Sequence, residues 1–118
     1  MNRSPKSRRS ARTDNKKVFM NAIRRGNIAV INQKLKEDPY LIKSDYGGLT
    51  PLMIAIVSEN YEVFDALIEK DNIELKTKNK DGLNVLFLAI DFLKENFIEK
   101  LIEKEPELLR EKYNPKSG

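Results

Sequence analysis

Apolar residues in the middle of the chain recur at helical spacing. Leu52, Ala55 and Ile56 share one face of a short first helix. Val63, Phe64, Leu67 and Ile68, at i, i+1, i+4 and i+5, share one face of a second. Glu59-Asn60 breaks the pattern between them, as Gly26-Asn27 does earlier. The whole unit returns 34 residues later. Gly48-Leu49-Thr50 reappears as Gly82-Leu83-Asn84, and the two stripes as Leu86, Ala89 and Ile90, then Phe97, Ile98, Leu101 and Ile102. Stepping back by 33 maps Ala55-Ile56 onto Ala22-Ile23 and Val63-Phe64 onto Val30-Ile31. A second marker agrees: Pro39-Tyr40-Leu41-Ile42 recurs at Pro106-Glu107-Leu108-Leu109, an offset of 67, the distance from Ala22 to Ala89. Each unit opens on a turn that needs positive φ, Gly47-Gly48 or Asp81-Gly82. Thr50 then caps a helix with Pro51 at its first position, and Asn84 is the equivalent cap. Two short helices cannot bury such stripes alone, but stacked pairs can.

The segment Gly48-Leu49-Thr50-Pro51-Leu52-Met53-Ile54-Ala55 resembles the ankyrin repeat, whose signature is Thr-Pro-Leu-His-x-Ala with a period of 33. The resemblance spans about residues 15–113. The middle unit keeps Thr50, Pro51, Leu52 and Ala55, with Met53 in place of the His. The third keeps Gly82, Leu86 and Ala89 but has Asn84, Val85 and Phe87 at the Thr, Pro and His positions. The first keeps Ala22, Gly26 and Asn27, and Glu59 and Leu93 stand where the family usually has Gly. The resemblance implies an all-α fold, a short ankyrin-type helix-turn-helix solenoid of three repeats at about 15–47, 48–81 and 82–113. Loss of the His implies loss of a Thr–His cross-link and a less rigid array. Asn21 and Lys34 replace Ile54 and Leu67 of the middle unit, which suits a polar N-terminal cap. Leu108, Leu109 and Tyr113 are expected to cover the last pair, with Pro106 starting a short final helix.

Charge separates a segment from this body. Residues 1–17 carry Arg3, Lys6, Arg8, Arg9, Arg12, Lys16 and Lys17 against Asp14 alone, a net +6, whereas the rest of the 118 residues sums to −2. No large apolar residue lies between Met1 and Val18, so residues 1–14 read as a basic tail, disordered or partner-bound, ahead of a domain at 15–118. Four readings of it stand open: an organellar transit peptide, a nuclear-import cluster at Arg8-Arg9, an arm that binds RNA or DNA phosphates, and a solvated terminus. The absence of an apolar stretch after the charges argues against a secretory signal, and the expected location is intracellular, cytoplasmic or nuclear.

Chemistry is narrowed by what the chain lacks. It has no Cys, His or Trp, which excludes disulfides, thiolate or imidazole metal sites and His-based triads. No apolar run exceeds six residues, as at Val85–Ile90, too short to span a bilayer. The glycines form no phosphate-binding fingerprint. Glu95, Glu99 and Glu103 alternate with Lys94, Lys100 and Lys104 and read as a solvated, ion-paired face. Phe19, Phe64, Phe87 and Phe97 fall at or beside repeat positions and read as core. The expectation is a non-enzymatic protein-binding module with no cofactor, no small-molecule substrate and no membrane partner. By the resemblance, turn tips and first helices form the contact face, which selects Asp45, Tyr46, Met53, Ser58, Asn79, Lys80 and Phe87. The alternative is a small ribonucleoprotein component whose tail bases bind RNA phosphates.

Overall fold

Three antiparallel helix pairs follow the period read from the sequence. The computed structural model describes residues 7–71 and 73–111, with side chains from residue 15 onward. The pairs are α1 (Ser7–Arg25) with α2 (Ile28–Glu37), α3 (Pro51–Val57) with α4 (Tyr61–Ile68), and α5 (Val85–Asp91) with α6 (Glu95–Lys104). Short 3-10 turns, Pro39–Lys43 and Pro106–Arg110, close the first and third units. The first helices α1, α3 and α5 pack closely in series, while the second helices touch less extensively, so the stack has an inner and an outer side.

Local chemistry sets the ends of these helices. Thr50 Oγ1 accepts from Met53 N (3.2 Å), Asn84 Oδ1 from Phe87 N (2.9 Å) and Asn27 Oδ1 from Val30 N (3.2 Å). Between the helices of each pair one residue is left-handed: Gly26 (φ 79°), Glu59 (φ 59°) and Leu93 (φ 55°). Space explains why the first of these is glycine. A Cβ at Gly26 would lie 3.0 Å from Asn60 Oδ1. Asn60 is there because its Nδ2 donates across the interface to the carbonyls of Ile23 (3.0 Å) and Arg24 (2.7 Å), near the C-terminus of α1. At the equivalent place in the third unit, Lys94 pairs instead with Glu59 (2.9 Å), so that turn tolerates a side chain.

The core runs the length of the stack. Phe19, Ile23, Leu52, Ile56, Phe64, Leu67, Leu86 and Leu101 are fully buried. Phe64 and Phe97 meet edge to face at 4.7 Å, and Tyr61 lies 5.5 Å from Phe97, joining α4 to α6. Among the described residues no buried side-chain nitrogen or oxygen lacks a partner. Ile90 is 39% exposed although its counterparts Ile23 and Ile56 are fully buried, because no further described pair stacks on α5. Asn21 is exposed and Lys34 partly so, reaching Asn15 (3.1 Å).

Three expectations change. α1 begins at Ser7, so one helix runs through the expected boundary at 14/15. Its first turns hold no Gly or Pro, and with Phe19, Met20 and Ile23 packed in the core, continuing the helix toward the N-terminus costs less than starting one. Of the residues expected to cover the last pair, Leu108 is buried and Leu109 is 53% exposed; Tyr113 lies outside the described residues. The 3-10 repeat of three residues per turn sends adjacent leucines to different sides. The lysines of α6 do form ion pairs, but with the preceding unit. Lys100 reaches Asp65 (2.9 Å) and Glu69 (3.5 Å), and Lys104 reaches Glu69 (3.1 Å).

Candidate protein-binding surface

The face expected to contact a partner starts at the turn tips. Tyr46 and Leu49 pair through both backbone groups (2.9 and 3.2 Å) around Gly47 and Gly48, whose φ values of 63° and 85° require glycine. Asp45 is exposed, and its carboxylate accepts from Gly48 N (3.3 Å). In the next tip Asn79 Oδ1 accepts from Asp81 N (2.9 Å) and Leu83 N (3.0 Å), which commits its carbonyl oxygen to the turn. Lys80 is exposed and lays its stem over Gly48. A cleft of about 340 Å³ separates the two tips, with Asp45, Gly48, Asn79 and Lys80 among its walls. Lys43 and Glu74 form a loose ion pair (3.8 Å) between the same two units.

From the tips the face continues onto the first helices. Tyr46 is half-buried against the core, and the Arg24 guanidinium of α1 lies 5.3 Å from its ring centre. Ser58 caps the C-terminus of α3, far from the tip group, and is half-buried. Phe87 is also half-buried, packed on the core. Met53 is different. It is fully enclosed, so this surface does not include it. It occupies the first turn of α3 between two neighbouring first helices, where an apolar chain replaces the family's His.

Sequence reasoning passed over three further candidates for this surface. Arg24 bridges the tip and the helix layer, while Val57 (40%) and Phe92 (41%) are large apolar side chains left partly open at the ends of α3 and α5. Part of the signal was in the period: the 34-residue step from Ser58 reaches Phe92, and Arg24 lies 33 residues before Val57. Of the tail residues, Lys16 is half-buried and Lys17 exposed. Arg8, Arg9 and Arg12 lie within α1, and Arg3 and Lys6 fall outside the described residues.

The electrostatics of the opposite, outer side are those of a brace. Glu69 is held below the usual carboxylate range, first by its hydrogen bond from Lys104 and that lysine's charge, which desolvation opposes and Lys100 reinforces. Lys100 is raised above the usual lysine range, first by its bond to Asp65 and then by the charges of Asp65 and Glu69, again opposed by desolvation. No helix among the described residues is long and apolar enough to cross a membrane.

Comparison with known proteins gives one result consistent with this geometry. The family model for ankyrin repeats, in three copies, matches residues 19–115. A search of the curated proteins finds no match.

Proposed function

Because the chain belongs to the ankyrin-repeat family, a fold that generally serves protein–protein interaction, we propose that it is a non-enzymatic adaptor. It binds a protein partner across its turn tips and first helices. The observation that carries this reading is the continuity of that face. The Arg24–Tyr46 contact ties the tip to the helix layer. Val57 and Phe92 add partly open apolar area further along it. Tyr and Arg in such a setting are the residue types that dominate binding energy. The turns beneath them have their backbone groups paired, so the surface is preorganised and little ordering is lost on binding. On this reading Asp45, Tyr46, Lys80 and Phe87 are contacts, Ser58 lies at the margin, and Asn79 holds the turn that positions Lys80.

The test is in-cell photo-crosslinking from positions 46, 57 and 92 with the full chain. A protein captured from these positions should be lost from Val57→Asp and Phe92→Asp. It should be kept by Lys36→Glu on the outer helix α2. Equal loss from the outer-face variant, or no capture from any of the three positions, would refute the assignment of this face.

A further inference from the structure

α1 and the first 3-10 turn together form a second surface of a different character. α1 holds seven bases, Arg8, Arg9, Arg12, Lys16, Lys17, Arg24 and Arg25, against one acid, Asp14. In helical register residues 8, 12 and 16 recur every fourth position, with 9 beside them. Asp14 is not in that register. Each step of four is a rise of about 6 Å, close to the spacing of successive phosphates along one strand of nucleic acid. The stripe ends at a cleft of about 270 Å³ lined by Lys16, Asp38, Tyr40, Leu41 and Ser44. Tyr40 is 79% exposed, far more than Tyr46 or Tyr61. Its backbone is fixed, since its N–H donates to Asp38 Oδ1 (3.2 Å). That bond also commits the one carboxylate in the cleft to a local cap.

We propose that this surface is a binding site for single-stranded nucleic acid. One base stacks on the open face of Tyr40, and the flanking phosphates follow Lys16 and then positions 12, 9 and 8 along α1. An exposed aromatic beside a row of cations is the combination that holds unpaired strands without reading sequence. Two other polyanions fit less well. An anionic membrane would need apolar side chains to insert, and between Ser7 and Lys17 the helix has only Ala11. An acidic polypeptide would use the bases but has no flat face to lay on Tyr40.

The experiment is fluorescence anisotropy of the full chain with a labelled uridine 12-mer, from roughly 50 to 300 mM salt. Binding should fall steeply with salt. Tyr40→Ala should weaken it roughly 5- to 150-fold with the salt slope unchanged, and Tyr40→Trp should restore it. Arg12→Ala should weaken it and reduce the slope by about 1. Tyr40 is exposed, so these variants keep the fold, which far-UV circular dichroism verifies. Three results would overturn the proposal: no binding at the lowest salt, unchanged affinity in Tyr40→Ala, or displacement of the strand by polyglutamate as readily as by unlabelled uridine 12-mer.

Discussion

The contact between Gly26 and Asn60 permits a quantitative test of how the first two repeats are joined. Gly26→Ala has two effects. Holding an L-residue at φ 79° costs about 1–2 kcal/mol, offset by about 0.5–1 kcal/mol because alanine loses less freedom on folding, a net cost near 1 kcal/mol. The new Cβ also sits 3.0 Å from Asn60 Oδ1 and must displace that amide. The displaced Nδ2 then loses its bonds to Ile23 O (3.0 Å) and Arg24 O (2.7 Å), worth about 1 kcal/mol each. The total is about 3 kcal/mol. Asn60→Ala alone forfeits the two bonds, about 2 kcal/mol. In the double variant the amide is already gone, so the cost is again about 3 kcal/mol instead of the additive 5 kcal/mol. The cycle therefore predicts a coupling of about 2 kcal/mol between residues 34 positions apart in the sequence. Urea unfolding followed by far-UV circular dichroism, fitted with one shared slope, measures all four species. Additivity to within about 0.5 kcal/mol would refute the argument, since Asn60 would then not be the group that Gly26 makes room for.

Three further outcomes follow from the same structure. Leu93→Gly should stabilise the chain by a few tenths up to about 1 kcal/mol, because Leu93 is 83% exposed at φ 55° and gives up little packing; a lower urea midpoint would contradict this. Asn84 is fully buried, caps Phe87 N (2.9 Å) and donates from Nδ2 to Glu111 (2.8 Å). Asn84→Ala should therefore cost about 2–3 kcal/mol and Asn84→Thr about half as much, since threonine keeps the cap and loses only the Glu111 bond; equal losses in calorimetry would rule that division out. The depressed Glu69 carboxyl makes its contribution above the unfolded value of about 4.3 and loses it as pH falls through the lower folded value. Wild type should thus exceed Glu69→Gln in urea midpoint at pH 7 by a small margin that closes as pH falls below about 4.3 through the lower folded value, and a margin that stays constant across the acid range would show that the carboxylate's charge is not its source.

Lys100 has the opposite sign. Its raised ammonium stabilises below about pH 10.4 and ceases to do so as pH climbs through the higher folded value. The two groups together brace the outer helices of the second and third units across the neutral range. Neither bridge is visible in the spacing of α6. Lys100 and Lys104 have Glu99 and Glu103 as sequence neighbours, yet their carboxylates come from Asp65 and Glu69. Stacking brings residues 35 positions apart within reach, and a helical wheel of α6 cannot show that.

What the chain's own order of residues determined is the period and everything local to it. Two apolar stripes per unit, a glycine turn, and Thr50 or Asn84 before the first helix are short-range instructions. They specified three helix pairs, their caps and the positive-φ turns at Gly47, Gly48 and Gly82. The candidate site was legible in part for the same reason. Tip residues Asp45, Tyr46 and Lys80 follow from turn position, and Phe92 follows from the register of Ser58. Tertiary structure alone decided the rest, because burial depends on what lies opposite a side chain and not on its own position in a repeat. Met53 is enclosed since first helices flank α3 on both sides, whereas Ile90, on the last described first helix, stays partly open. Arg24 reaches Tyr46, and Asn60 reaches the end of α1, across a boundary between units. The helical start at Ser7 likewise comes from cooperativity. Once Phe19 to Ile23 are packed, extending the helix costs far less than starting one, and a basic stretch that could not fold alone becomes the leading end of α1.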